Sequence, residues 1–427
     1  MRFLFAMWEG GGTVPPELAL AGRLIGRGHT VHVLGDPTIE PSAARIGADF
    51  TPWRQAPHVK SLRPEHALVK DWEIKNPLRL FRVMRDALLC GPTRLFAEET
   101  LAAIERVRPD VVAADFVMIG SLAAAQRARL PTALLVPNLY PFPAKGRPMI
   151  GSGWMPARGP LGWIRDAVMA RVFVRLFDGG LAPVNDARTA LGLPPLAHTF
   201  DQATGCDVIL LLTSEAFDFP GPSFPANVRF AGAQLDDPLW AEPWTSLWPE
   251  TDSRPLVLVG FSSTFQNQAE ALQRVMQALG GLPVRGLVTA GPALEASELS
   301  PPHNVVVVAS APHGRIIPHS RVVVTHCGHG TTLKALSLGV PLLCMPMGRD
   351  QVDNAARTVW HGAGIRIKPS APAETIANAL RKLLDDDRYR RNARLLADRI
   401  AAESIGDRAL SELEALAAQQ RDARPSS

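Results

Sequence analysis

His326-Cys327-Gly328-His329-Gly330-Thr331-Thr332 puts two imidazoles, two glycines and two hydroxyls into one turn. If it opens a helix, such a turn binds anions, because bare amides approach closely and the helix dipole favours negative charge. Further on, Asp350-Gln351 offers a carboxylate and an amide, groups that hold vicinal hydroxyls. A phosphate cradle beside a hydroxyl clamp is the chemistry of a nucleotide-sugar site. Positioning it requires a strand, and the β-branched run 322–325 reads as a buried one. The turn should open a helix at about residue 331. Leu338-Gly339-Val340-Pro341 should close it, since glycine suits the position after a helix and proline cannot continue one. A second strand, 342–345, then leads into Gly348-Arg349-Asp350-Gln351.

The remaining sequence supplies a matching frame. At 427 residues the chain is long for one core, and two domains are expected. Strand signals at 3–8, 29–34, 111–114, 131–137 and 208–213 alternate with helix signals at 17–27, 100–108 and 119–127. Alternation of this kind implies a parallel, doubly wound sheet with helices on both faces. Residues 220–254 change character: prolines crowd there, with Trp240, Trp244 and Trp248, and the stretch reads as an irregular linker. A second alternation follows, with strands at 256–259, 286–289 and 305–308, a helix at 268–279, and then the Gly-rich block. Helices close the chain from about 372 to 419, and 421–427 reads as a frayed tail. The expected class is α/β, with domains at 1–219 and 255–400 and a closing helix and tail at 401–427.

Composition excludes several functions. No run of eighteen apolar residues is present, so no membrane-spanning helix is expected. The first nine residues meet an acid at Glu9 and read as a strand rather than a signal peptide. Cys90, Cys206, Cys327 and Cys344 are scattered without a Cys-x-x-Cys pair, which fits free thiols in a reducing cytoplasm. The net charge is only +4 and no basic run interleaves with aromatics, which argues against nucleic acid. His326, Cys327 and His329 lack a fourth ligand at useful spacing, so zinc is not expected. Gly10-Gly11-Gly12 with Asp36 some way on lacks the full dinucleotide fingerprint, since Pro15-Pro16 takes the later positions.

The block His326-Cys327-Gly328, Gly330-Thr331-Thr332, Gly339-Val340-Pro341, Asp350-Gln351, Asn354-Ala355, Gly362-Ala363-Gly364 resembles, in order and spacing, the donor signature of a known family. These are the nucleotide-sugar-dependent glycosyltransferases of antibiotic, macrolide and plant secondary metabolism. The resemblance implies the GT-B fold, two Rossmann-like domains facing a cleft, the last helix crossing back to the first. The acceptor would bind the N-terminal half and the donor mainly the C-terminal half. It places His326 on a phosphate oxygen and Gly328, Gly330 and Thr331 around the diphosphate. Ser262, Ser263 and Thr264, between a strand and a helix, form a second anion turn, and Gly12 joins the donor set. No cofactor or metal is implied beyond the co-substrate, a UDP- or dTDP-sugar. Ser310-Ala311-Pro312-His313 stands where the family has Trp-x-Pro-Gln, so the base-stacking tryptophan is replaced by Ser310, with Ala311 and His313 beside it. Lys334 stands where the plant pattern places a ribose-binding Glu, and lysine cannot accept a hydrogen bond.

The family's general base is the His of Gly-His-x-x-Pro after the first strand. Aligned on Gly12 and Pro16, that position is Thr13, whose hydroxyl cannot take a proton usefully near neutral pH. Asp115, following the apolar run 111–114, matches the family's His-orienting acid. It is the expected base, with Thr13 positioning the acceptor and Glu9 the second candidate. A helix-capping role is the plainer reading of Asp115. The segments 71–99 and 140–178 are rich in aromatic and aliphatic residues with Arg158, Arg165, Arg171 and Arg175 interspersed. They fit an apolar acceptor pocket, and the same pattern could touch a membrane surface. The expected activity is inverting, metal-independent sugar transfer to an apolar aglycone by a cytoplasmic, or membrane-peripheral, enzyme. Its rivals are a non-catalytic nucleotide-sugar-binding accessory protein, favoured by Thr13 and Lys334, and a sugar-nucleotide epimerase. Neither the oligomeric state nor the choice of uridine or thymidine follows from the sequence.

Overall fold

The computed structural model describes residues 1–222, 224–235, 245–261, 265–291, 294, 299–403 and 407–423. Its first sheet has seven strands: β1 (Arg2–Ala6), β2 (Thr30–Gly35), β3 (Asp49–Pro52), β4 (Val111–Asp115), β5 (Thr132–Val136), β6 (Val208–Leu211) and β7 (Val228–Phe230). They lie in the order β3-β2-β1-β4-β5-β6-β7. The second has six: β8 (Leu256–Gly260), β9 (Arg285–Thr289), β10 (Val305–Val308), β11 (Ser320–Thr325), β12 (Leu342–Cys344) and β13 (Gly364–Arg366). Their order is β10-β9-β8-β11-β12-β13. Every pairing in both sheets is parallel. This is the GT-B architecture.

Parallel strands covered on both faces need near-continuous apolar sequence. β4, β5 and β8 are buried at every residue. Strand order reverses between β1 and β4 in one sheet and between β8 and β11 in the other. Ligands of open α/β sheets bind outside the carboxyl ends of the strands at such switch points. Glu9 and Asp115 lie at the first, and Gly260 and His326 at the second.

The last helix, Arg408–Ala423, returns to the first domain. Leu410, Leu413 and Ala417 join Phe3, Leu18 and Val31 in one core cluster. Ahead of it, Glu403 accepts hydrogen bonds from Ser214 Oγ and Ala216 N, each 2.6 Å. Across the front of the molecule Asp71 pairs with Arg349 at 2.7 Å. Gly151 N and Gly153 N both donate to the carboxylate of Asp353.

Three strands escaped the sequence reading. β3, β7 and β13 have three or four residues each, and all three are edge strands. At that length no period-two pattern can develop. β7 corrects the expected linker: the first sheet continues to Phe230, beyond the boundary set at residue 219. Trp240 and Trp244 lie outside the described residues.

Candidate functional site

The donor-side turn is built around two close approaches. β11 ends at Thr325, and the helix His329–Ser337 starts two residues earlier than the sequence implied. Between them Cys327 adopts a left-handed φ of 69°. A Cβ on Gly328 would lie 2.7 Å from His326 Nε2, so the ring sits directly over that glycine. His326 is buried, and burial together with the Arg349 charge pushes its pKa down to about 3. The imidazole is therefore neutral at physiological pH and acts as a dipole, not a cation. Its backbone partner is Gly260, at the end of β8. A Cβ on Gly260 would lie 2.6 Å from His313 Cε1, and His313 Nε2 is 3.1 Å from Thr289 Oγ1. Gly260, which sequence reasoning missed, thus gathers His313 and His326 at the switch point. Gly330 is exposed at the helix N-terminus and Thr331 half-buried beside it, positions from which amide and hydroxyl can reach an anion.

Asn354 bolts this turn to the next loop. Its Nδ2 donates to Cys327 O and to Asp350 Oδ2, both at 3.0 Å, and its Oδ1 is 2.9 Å from His329 Nδ1. Its place within Asn354-Ala355 was visible in the sequence, but this bracing role was not. Asn354→Ala leaves a buried carbonyl and a buried imidazole without partners, each worth about 1–3 kcal/mol. The expected result is a lowered melting temperature, partly restored by nucleoside diphosphate, read by calorimetric melting with and without dTDP.

Gln351 sits differently from its expected use. Its Oε1 accepts from Met347 N at 2.8 Å and Gly348 N at 3.1 Å, while Nε2 donates to Gln266 at 2.9 Å. The buried amide shapes the loop, leaving Asp350 as the hydroxyl-facing candidate. Lys334, at the position of the plant pattern's ribose-binding Glu, is buried on the helix. Ser310 is half-buried and Ala311 buried at the mouth of β10. Ser262, Ser263 and Thr264 lie outside the described residues. Among the described residues no group of three His, Cys, Asp or Glu is arranged to hold a metal.

The first switch point collects four carboxyls. A Cβ on Gly10 would lie 2.8 Å from Thr13 Oγ1 and 2.9 Å from the Trp8 ring, so a side chain there would force one of them to shift. Thr13 donates to Trp8 O at 3.3 Å, which fixes it at the start of the helix Val14–Gly26. The tight turn brings Gly11 N to 2.9 Å from Glu9 Oε1, and Thr38 Oγ1 donates to Oε2 at 3.1 Å. Glu9 N in turn donates to Asp36 Oδ2 at 2.6 Å. Desolvation raises the Glu9 pKa to about 7, against those hydrogen bonds and with a contribution from Asp36. Glu9 keeps partial access to solvent.

Asp115 occupies the end of β4 as expected, but it is 0% exposed. Val117 N donates to its Oδ1 at 2.8 Å, which closes a local turn; the helix-capping role does not hold, since the next helix, Ile119–Arg127, has Met118 at its N-cap. Its other oxygen abuts Glu17, a fully buried acid that sequence reasoning missed. Burial and Asp115 hold Glu17 protonated, its pKa well above the carboxylate range, while burial raises Asp115 to about 6. A sealed carboxylate cannot meet an acceptor without rearrangement, whereas Glu9 is half-buried. The signal for Glu17 was its position: an acid on the otherwise apolar face of an amphipathic helix.

The 140–178 segment divides its apolar residues between two faces. Phe173 and Phe177 turn inward onto Phe81 and Phe200. Leu161, Trp163 and Ile164 are exposed.

Comparison with known proteins agrees with this geometry. Residues 273–416 match the erythromycin biosynthesis protein CIII-like C-terminal domain. The chain is 29% identical over 427 residues to 4'-demethylrebeccamycin synthase of Lentzea aerocolonigenes, covering 97% of this chain and 99% of that one. The glycotransferase of kitacinnamycin superposes with a TM-score of 0.76 at 19% identity, over 97% of this chain and 98% of that one. The glycosyltransferase VinC, solved with dTDP, gives 0.68 at 17% identity, over 98% and 100%. The chain has the fold of these glycosyltransferase structures, GT-B: two facing Rossmann-like domains with this turn at the second switch point. Its residues 273–416 are an erythromycin biosynthesis protein CIII-like C-terminal domain, and the chain is a homologue of the antibiotic glycosyltransferases.

Proposed function

We propose that the protein is an inverting transferase that moves a sugar from a dTDP-sugar to an apolar aglycone. The observation carrying this reading is the second switch point, where a neutral His326 lies over Gly328 at the N-terminus of the helix His329–Ser337. As the bond from anomeric carbon to diphosphate breaks, the electron pair leaves with the diphosphate. Preorganised amides, the Thr331 hydroxyl and the imidazole meet that charge without reorganisation, and this lowers the barrier. The dTDP in a structural neighbour favours thymidine over uridine as the nucleoside.

On the acceptor side the nucleophile attacks the anomeric carbon from the face opposite the diphosphate, and its proton passes to Glu9. The half-open position of Glu9 and its pKa near 7 suit a general base, which works best when its pKa lies near the operating pH. Asp115, the base expected from sequence, serves in this reading as a buried neighbour of Glu17, while the charge of Asp36 adds to the desolvation that raises Glu9. Thr13 orients the turn. The test is turnover with dTDP- and UDP-glucose and with dTDP-deoxysugars against a panel of polycyclic and macrolide aglycones. Release of nucleoside diphosphate that requires an aglycone is the expected result. Isomerised donor without an aglycone, or binding without release, would favour an epimerase or an accessory protein instead.

A further inference from the structure

The helix Pro160–Asp178 carries a stripe that its own fold does not cover. Leu161 is 84% exposed, Ile164 60%, Val168 48% and Val172 40%. Their spacing of three, four and four residues places them on one face of an α-helix. Phe173 and Phe177 occupy the opposite face, packed on Phe81 and Phe200. The C-terminal part of the same stripe continues with Arg171 and Arg175, both exposed and without an ion pair among the described residues. The acids of this helix face elsewhere: Asp166 is buried against Arg165, and Asp178 is engaged by His198. Packed beside it through Phe81, the short helix Pro77–Met84 repeats the pattern, with Leu78 54% exposed and Arg79 and Arg82 exposed.

We propose that this face docks on anionic lipid bilayers, laying the helix flat in the interface. An exposed apolar stripe with arginines but no acids along it is what an interfacial helix requires. The apolar residues enter the headgroup boundary, and the arginines meet lipid phosphate. A second copy of the chain fits the face less well, because it would add uncompensated arginines to uncompensated arginines. No described helix is long and apolar enough to cross a membrane, so the contact is peripheral. The inference is independent of which group takes the acceptor's proton. It places the acceptor-side domain where apolar aglycones partition.

The test is flotation of the full chain with phosphatidylcholine vesicles and with vesicles that also contain phosphatidylglycerol. The wild type is expected to float with the anionic vesicles only, and less at raised salt. Ile164→Asp with Val168→Asp, and separately Arg171→Glu with Arg175→Glu, should each weaken binding about tenfold or more. Both pairs are at the surface, and an unchanged melting temperature with unchanged dTDP binding confirms an intact fold. Hydrogen exchange on vesicles should show protection at 160–178. Absence of flotation, flotation that ignores both variant pairs, or a dimer dissolved by Ile164→Asp in a chain that does not float would each overturn the proposal.

Discussion

Glu9→Gln is expected to lower turnover about 10²–10⁴-fold, the range general-base removal produces. It should leave donor binding unchanged, because Glu9 stands at the first switch point and the donor turn at the second. The pH profile gives a sharper signature. In the wild type kcat/KM should fall below an apparent pKa of about 7, as Glu9 takes up a proton and ceases to accept one. Glutamine has no such titration, so the residual activity of the variant should be flat across that range. Asp115→Asn is the paired control. An amide there can still accept from Val117 N and can donate towards Glu17, so turnover should change only about threefold or less. If Asp115 is the base, the two substitutions exchange outcomes, and Asp115→Asn loses about a hundredfold or more.

Gly328→Ala is expected to weaken dTDP binding about tenfold or more while sparing the fold. The added methyl would lie 2.7 Å from His326 Nε2 and 2.8 Å from Cε1. Because His326 is buried, its ring cannot swing freely aside; overpacking of this kind costs about 1–3 kcal/mol. Tenfold in Kd corresponds to about 1.4 kcal/mol. His326→Ala should bring a comparable loss by removing the imidazole rather than displacing it. Titration calorimetry with dTDP reads both. Because His326 is already neutral in the free protein, the wild-type affinity should not collapse between about pH 8 and pH 6, as it would if a cation at this position were being titrated.

What the sequence made legible follows from how much pattern each element carries. β4, β5, β8 and β10 are unbroken apolar runs, and they were found within a residue or two. The Gly-rich turn was legible because its glycines, histidines and following Gly-Val-Pro are fixed by backbone geometry as well as by ligand chemistry. β3, β7 and β13 were lost because three or four residues pairing at an edge leave no periodic trace. The burial of Asp115 was hidden for a different reason. Sequence shows that Asp115 ends a buried strand, but not that Glu17 seals it from the other side. Nor does it show that a three-glycine turn folds back to hydrogen-bond Glu9 and hold it half-open. Gln351 and Asn354 make the same point on the donor side. Both lie in the motif, yet their side chains brace the loop and the turn, and only the fold reveals those partners.

The claim on which the account rests is that the turn 326–331 at the second switch point grips the diphosphate. A crystal structure of the chain soaked with dTDP tests it most directly. The account expects the diphosphate at the N-terminus of the helix His329–Ser337, within hydrogen-bond reach of the Gly330 and Thr331 amides and of His326. A diphosphate bound elsewhere in the cleft, with this turn unengaged at saturating dTDP, would contradict it.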